Sequence, residues 1–121
     1  MDATKKNRDC IFCKIIDGSL PSTKVLETET VFAFRDISPQ APVHVLVVPK
    51  KHIADVECVE ASHGAVFQDL FDAVQKLVKK LDLSEKGFRT VFNTGEHACQ
   101  TVFHLHLHLL GGAQMGGSMV G

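Results

Sequence analysis

Three histidines stand at every second position in Phe103-His104-Leu105-His106-Leu107-His108-Leu109-Leu110, with apolar residues filling the gaps. A period of two is that of a half-buried strand, so the three imidazoles are expected on one face and Phe103, Leu105, Leu107 and Leu109 on the other. Two chemistries suit such an array. Alternate strand histidines can converge on one transition-metal ion, at zinc–nitrogen distances of about 2.0–2.1 Å. Alternatively, one imidazole can attack phosphorus while its neighbours orient the ring and donate to the phosphate oxygens. Hydrolytic metal centres usually add carboxylates, and here the segment runs into Leu109-Leu110-Gly111-Gly112 with none. Against that, Gly95 and the polar loop Cys99-Gln100-Thr101 just upstream offer amide and hydroxyl donors to a phosphate. On the residues alone the two readings stand level.

Composition narrows the partner. The chain has 121 residues, is 45% hydrophobic and carries a formal charge of −1, so it lacks the basic excess that binds nucleic acid and suits a small phosphorylated ligand better. No apolar run approaches the ~20 residues of a membrane span, and residues 1–9 contain no apolar signal core, which together lead us to expect a cytoplasmic protein without membrane contact. Without a secretory context, Cys10, Cys13, Cys58 and Cys99 read as metal ligands or free thiols and not as a disulfide framework. Cys58 has no partner nearby in sequence and fits a small apolar filler.

The elements that must position these groups are legible from periodicity. Asp9 is a candidate N-cap for a short helix over 10–17, closed by Gly18, with Ile11, Phe12, Ile15 and Ile16 as its apolar stripe. Strands are expected over 23–27 and 31–35, joined by a tight turn, and over 43–48 after the proline-interrupted turn 36–42. Residues 62–81 change period: Val66, Phe67, Leu70, Phe71, Val74, Leu77, Val78 and Leu81 recur at three and four, which predicts one long amphipathic helix. A fourth strand over 88–93 precedes the histidine segment. Strands gathered around one long helix give an α+β class, an antiparallel sheet of about five strands covered on one side by that helix. We expect a single domain over 1–121, with 1–8 and 113–121 as flexible tails.

The segment Gln100-Thr101-Val102-Phe103-His104-Leu105-His106-Leu107-His108-Leu109-Leu110 resembles the histidine-triad motif of the HIT superfamily of nucleotidyl hydrolases and transferases. Cys10-Ile11-Phe12-Cys13-Lys14-Ile15-Ile16, the stretch from Phe34 to His44 and Val48-Pro49-Lys50-Lys51-His52-Ile53 resemble successive blocks of its Hint branch, the histidine triad nucleotide-binding proteins. The resemblance covers residues 9–116. It implies a homodimer that hydrolyses adenosine or other purine nucleoside phosphoramidates to AMP or GMP and an amine. The alternatives it leaves are a dinucleoside polyphosphate hydrolase, a nucleotidyl transferase, or a nucleotide-binding scaffold with vestigial turnover.

Matched position by position, the resemblance makes His106 the nucleophile and His108 a phosphate-binding histidine, with His104 and His44 supporting the site from behind. It assigns the ribose hydroxyls to Asp36, whose carboxylate can accept two hydrogen bonds. Ile11, Phe12, Ile15, Phe34 and Ile37 become the walls of a base pocket, and Asn93, Cys99, Gln100 and Thr101 the phosphate and leaving-group contacts. Two positions depart from the pattern: Cys99 replaces a usual Gly, and Thr101 a commoner Ser that shares its hydroxyl. The residues after Gln114 also lack the aromatic that some relatives place against the amine-bearing part of the substrate. Finally, some bacterial-type relatives hold a structural zinc through two cysteines, the histidine of a Pro-x-x-His segment and the first triad histidine. Here these are Cys10, Cys13, His52 and His104, a set suited to tetrahedral zinc, with no metal needed for the chemistry.

Overall fold

The β-branched, alternating stretches of the chain pair into one antiparallel sheet. In this computed structural model, which describes residues 9–117, the elements run α1 (Ile11–Ile16), β1 (Lys24–Glu27), β2 (Val31–Arg35), β3 (Val43–Pro49), α2 (Gly64–Lys80), β4 (Phe88–Phe92) and β5 (Leu107–Gly111), with single 3₁₀ turns at Val56–Cys58, Ala61–His63 and Glu96–Ala98. The strand order is β1-β2-β3-β5-β4, so the last strand lies between β3 and β4. Residues 1–8 and 118–121, which include most of the expected tails, lie outside the described residues; of the remainder, Gly116 accepts a hydrogen bond from Arg89 of β4 at 2.9 Å.

Alternation splits the apolar residues between two cores, one on each face. Val31, Ala33, Val45, Val47, Leu107 and Leu109 meet Leu70, Ala73, Val74, Leu77 and Val78 of α2. The long helix therefore buries the centre of the stripe its period predicted, Leu70, Val74, Leu77 and Val78, capping one face of the sheet, while Val66, Phe67 and Leu81 are partly buried and Phe71 is left exposed. On the other face Phe32, Phe34, Leu46 and Val48 meet Cys10, Phe12 and Cys13 of the α1 region. That face also carries His44 and His108. The helix starts at Gly64, two residues after the expected start, because Ala61–His63 form a tighter turn in which Glu60 N–H donates to His63 Nδ1 at 3.1 Å. Cys10, not Asp9, caps α1, its thiol accepting from Cys13 N–H at 3.3 Å.

The histidine segment departs from the expected strand. Only His108 falls within β5; His104 and His106 precede it. The cause lies in the neighbours. β5 pairs Leu107 with Val47 on one side and with Phe92 on the other. Both partners then end, β3 at Pro49, which has no N–H to donate, and β4 where the chain turns off toward Gly95. Leu105 keeps its inward position by donating to Ile53 O at 2.6 Å, whereas Phe103, beyond that anchor, is 55% exposed instead of sharing the core with the leucines.

Candidate active site

The three histidines do not converge on one point. His106 and His108 stay together, rings 5.0 Å apart, while His104 turns into the cysteines of α1. Backbone groups set the tautomers of His104, His106 and His44, and His44 in turn sets that of His108. Nδ1 of His106 lies 2.7 Å from the carbonyl oxygen of His104, so it carries the proton and donates. Nε2 is left with the lone pair. It has no hydrogen-bond partner among the described residues, and no buried side-chain nitrogen or oxygen there goes unsatisfied, so this nitrogen is reachable from solvent. Burial pushes the His106 pKa down, partly offset by the His104 carbonyl and the charge of Asp36, which keeps the ring neutral and nucleophilic near pH 7.

A second relay fixes His108. Gln40 N–H donates to Nδ1 of His44 at 3.0 Å, so the His44 proton is on Nε2, 2.9 Å from His108 Nδ1 and 3.5 Å from Asp36 Oδ2. His108 Nδ1 thus accepts, and its Nε2 carries a proton to donate. Burial holds His108 neutral, its pKa pushed down to about 4, with His106 and His44 adding to the effect and Asp36 opposing it. The arrangement accordingly sets an imidazole nitrogen with a free lone pair beside an adjacent N–H donor. The side chain of Phe12 closes one flank, its ring 5.1 Å from His106 at 89° and 5.4 Å from Phe34.

Behind it lies a metal-ligand set. Cys10, Cys13, His52 and His104 are all buried, with ligand atoms within 4.8 Å of one another. The Sγ–Nδ1 distances are 3.3 Å (Cys10–His104), 3.4 Å (Cys13–His52) and 3.5 Å (Cys13–His104), and the two Nδ1 atoms are 3.2 Å apart. A tetrahedral ion bound at about 2.3 Å to sulfur and about 2.0–2.1 Å to nitrogen sets these separations near ~3.5 and ~3.3 Å. His104 Nε2 donates to Pro49 O at 2.8 Å, which leaves Nδ1 free as a ligand, the usual second partner of a metal-bound histidine. The donor set fits a tetrahedral metal without rearrangement.

This arrangement can be set beside known proteins. The HIT domain family model matches residues 17–115. The chain belongs to the HIT domain family. Among relatives of this HIT protein, the purine nucleoside phosphoramidase of Escherichia coli K12 is 41% identical over 89% of this chain and 91% of its own length. A 14 kDa zinc-binding protein of Zea mays is 47% identical over 87% of this chain and 83% of its own. A solved HIT family hydrolase from Clostridium thermocellum superposes with a TM-score of 0.91 at 48% identity, over 94% of this chain and 99% of that one. The HIT protein described here is therefore a hydrolase of that family, and no helix among its described residues is long and apolar enough to cross a membrane.

The remaining expected site residues of the HIT protein fall in two groups. Phe12 and Phe34 are buried, Ile15 is half-buried against them, and Ile11 and Ile37 are 51% and 98% exposed, apolar surface that this chain does not cover itself. Asn93 directly follows β4, and Cys99 and Thr101 are exposed on the loop, Cys99 in the left-handed region at φ 62°. Gln100 is turned inward. Sequence reasoning missed the main-chain participants: Gln40 N–H and the carbonyls of Pro49 and His104 orient the rings, yet no side-chain pattern marks them.

Proposed function

We propose that this HIT protein hydrolyses purine nucleoside 5′-phosphoramidates to the nucleoside monophosphate and an amine through a nucleotidyl-histidine intermediate. The observation that carries the reading is the His106 imidazole, neutral, its Nδ1 proton tied to the His104 carbonyl and its Nε2 open beside the His108 donor. In the first step Nε2 bonds to the α-phosphorus and the phosphorus–nitrogen bond breaks, the leaving amine taking its proton from water. In the second, water attacks the phosphorus and the imidazole leaves, restored. His108 Nε2–H and the Thr101 hydroxyl donate to phosphate oxygens as charge builds on them. Asp36 accepts the ribose hydroxyls, Ile11, Phe12, Ile15, Phe34 and Ile37 hold the base, and Asn93 and Cys99 approach the phosphate side. The 41% identical phosphoramidase supports the choice of bond.

The same reading makes zinc the ion for Cys10, Cys13, His52 and His104, in a structural role: it would fasten α1 to the histidine segment and take no part in the chemistry. It also makes the protein a homodimer, with α2 and the edge strand β4 at the twofold.

The test is direct. Rapid-quench mass spectrometry with adenosine 5′-phosphoramidate should find a nucleotidyl adduct on the peptide containing His106. His106→Ala should lower turnover by several orders of magnitude and weaken AMP binding far less, by about 5- to 150-fold at most, since one phosphate contact contributes about 1–3 kcal/mol. Substantial turnover by His106→Ala, or activity lost to chelators and restored by metal, would overturn the proposal.

A further inference from the structure

We propose that Gln100 is a positioning residue for the nucleophile, its carboxamide committed to the main chain and not to the phosphate. The inference rests on the reading of His106 given above. Gln100 is buried, 7% exposed, and both of its amide hydrogens are committed. Nε2 donates to Ala54 O at 3.0 Å and to Val102 O at 3.1 Å, and Oε1 accepts Gly95 N–H at 2.9 Å. A primary amide has two N–H donors, so no donor remains for a ligand.

These bonds join three segments where the sheet has run out. Past Leu107 neither β3 nor β4 offers the incoming chain a ladder. Leu105 N–H finds Ile53 O, and one step farther out the Gln100 amide bridges the carbonyls of Ala54 and Val102, serving as a detached peptide group. Its other end pins Gly95, whose φ of 82° starts the loop that continues to Thr101. Val102 is two residues from His104, and the His104 carbonyl holds the His106 Nδ1 proton. Loosening the clamp therefore loosens the group that aims the nucleophile. Phe12, Phe34 and Asp36 belong to other elements, so the base and ribose contacts are left in place, and only the phosphate contacts of the Cys99–Thr101 loop loosen with the clamp.

The experiment uses the full chain carrying Gln100→Met, which keeps the length and removes all three bonds. Three quantities are measured well below the variant's Tm: steady-state turnover of adenosine 5′-phosphoramidate, AMP affinity by calorimetry, and the imidazole ¹⁵N signals of His106 without nucleotide. We expect kcat to fall about 10–100-fold, as misalignment of a reacting group does. KM and the AMP Kd should stay within about threefold, and the His106 signals should shift or broaden. Unchanged kcat overturns the inference. So does an AMP Kd weakened by as much as kcat/KM falls with the His106 signals unmoved, since that marks direct contact. Should Gln100→Met not fold, Gln100→Glu carries the test: it keeps the acceptor for Gly95 and sets a carboxylate against the two carbonyls. Wild-type protein without turnover would count against the reaction, whereas the nucleotide-free ¹⁵N signals judge Gln100 on their own.

Discussion

The backbone carbonyl of His104 receives the Nδ1 proton of His106 at 2.7 Å, while the imidazole of the same His104 points away, into Cys10, Cys13 and His52. One residue thus belongs to two centres, by its main chain to the nucleophile and by its side chain to the metal-ligand set. The two are physically joined, yet no ligand atom is shared.

From this it follows that metal removal should act on stability. Protein purified without chelators should carry about one zinc per chain, and stripping it should lower Tm, because an ion bound only by the folded state stabilises that state. Cys13→Ser should lose most of the metal and shift Tm the same way. Turnover should need no added metal. Elemental analysis finding none would sink the assignment.

His108 sets an acid limit. Its folded pKa is about 4 against roughly 6.5 unfolded, because burial and its neighbours His106 and His44 outweigh Asp36. Between those values the unfolded chain binds a proton that the folded chain refuses, so stability rises with pH there. The contribution is complete above about pH 6.5 and is lost as pH falls toward 4. Thermal melts across that window should show His108→Gln with a shallower decline than wild type; parallel curves would refute it.

Cys99 occupies φ 62°, ψ 35°, a conformation that costs an L-residue and costs glycine nothing. Relief of that strain outweighs glycine's added freedom when unfolded. Cys99→Gly should therefore raise stability by about 0.5–1 kcal/mol, read from the denaturation midpoint at unchanged slope. A lower midpoint would show that the thiol contributes more than its backbone costs.

The proposed dimer predicts a mass. Phe71 of α2 and Phe88 of β4 are 42% and 43% exposed, and β4 is an edge of the sheet. Light scattering at micromolar concentration should return twice the chain mass of 13.2 kDa. Phe88→Glu should shift the population toward monomer, and a monomeric wild type would end the idea.

Much of the fold was legible because each element announces its own period. The three-and-four recurrence from Val66 to Val78 located α2, and the alternation around Phe32 and Phe34 separated the two faces. The histidine segment misled for a physical reason: its pattern is that of a strand, but a ladder also needs neighbours, and Pro49 withdraws one. The roles of the rings were open on sequence because they turn on which nitrogen each backbone group claims. A carbonyl such as that of Pro49 or His104 is present at every residue, and only the fold chooses which ones matter.

The candidate metal ligands Cys10 and His104 are 94 positions apart, and β5 enters the middle of the sheet, between β3 and β4, after every other strand has been made. Contacts so distant in sequence form late, since the loop they close must be paid for in entropy before the contact is made. During synthesis the β1–β3 meander emerges with the inner edge of β3 bare and the thiols of Cys10 and Cys13 with His52 available but His104 still to come. Insertion of the final strand covers that edge, brings His104 to the cysteines and aims His106 in one event. Catalytic competence in this chain is therefore a late property of folding, and a nascent or truncated chain that stops before His104 holds three of the four candidate metal ligands, Cys10, Cys13 and His52, and neither His106 nor His108.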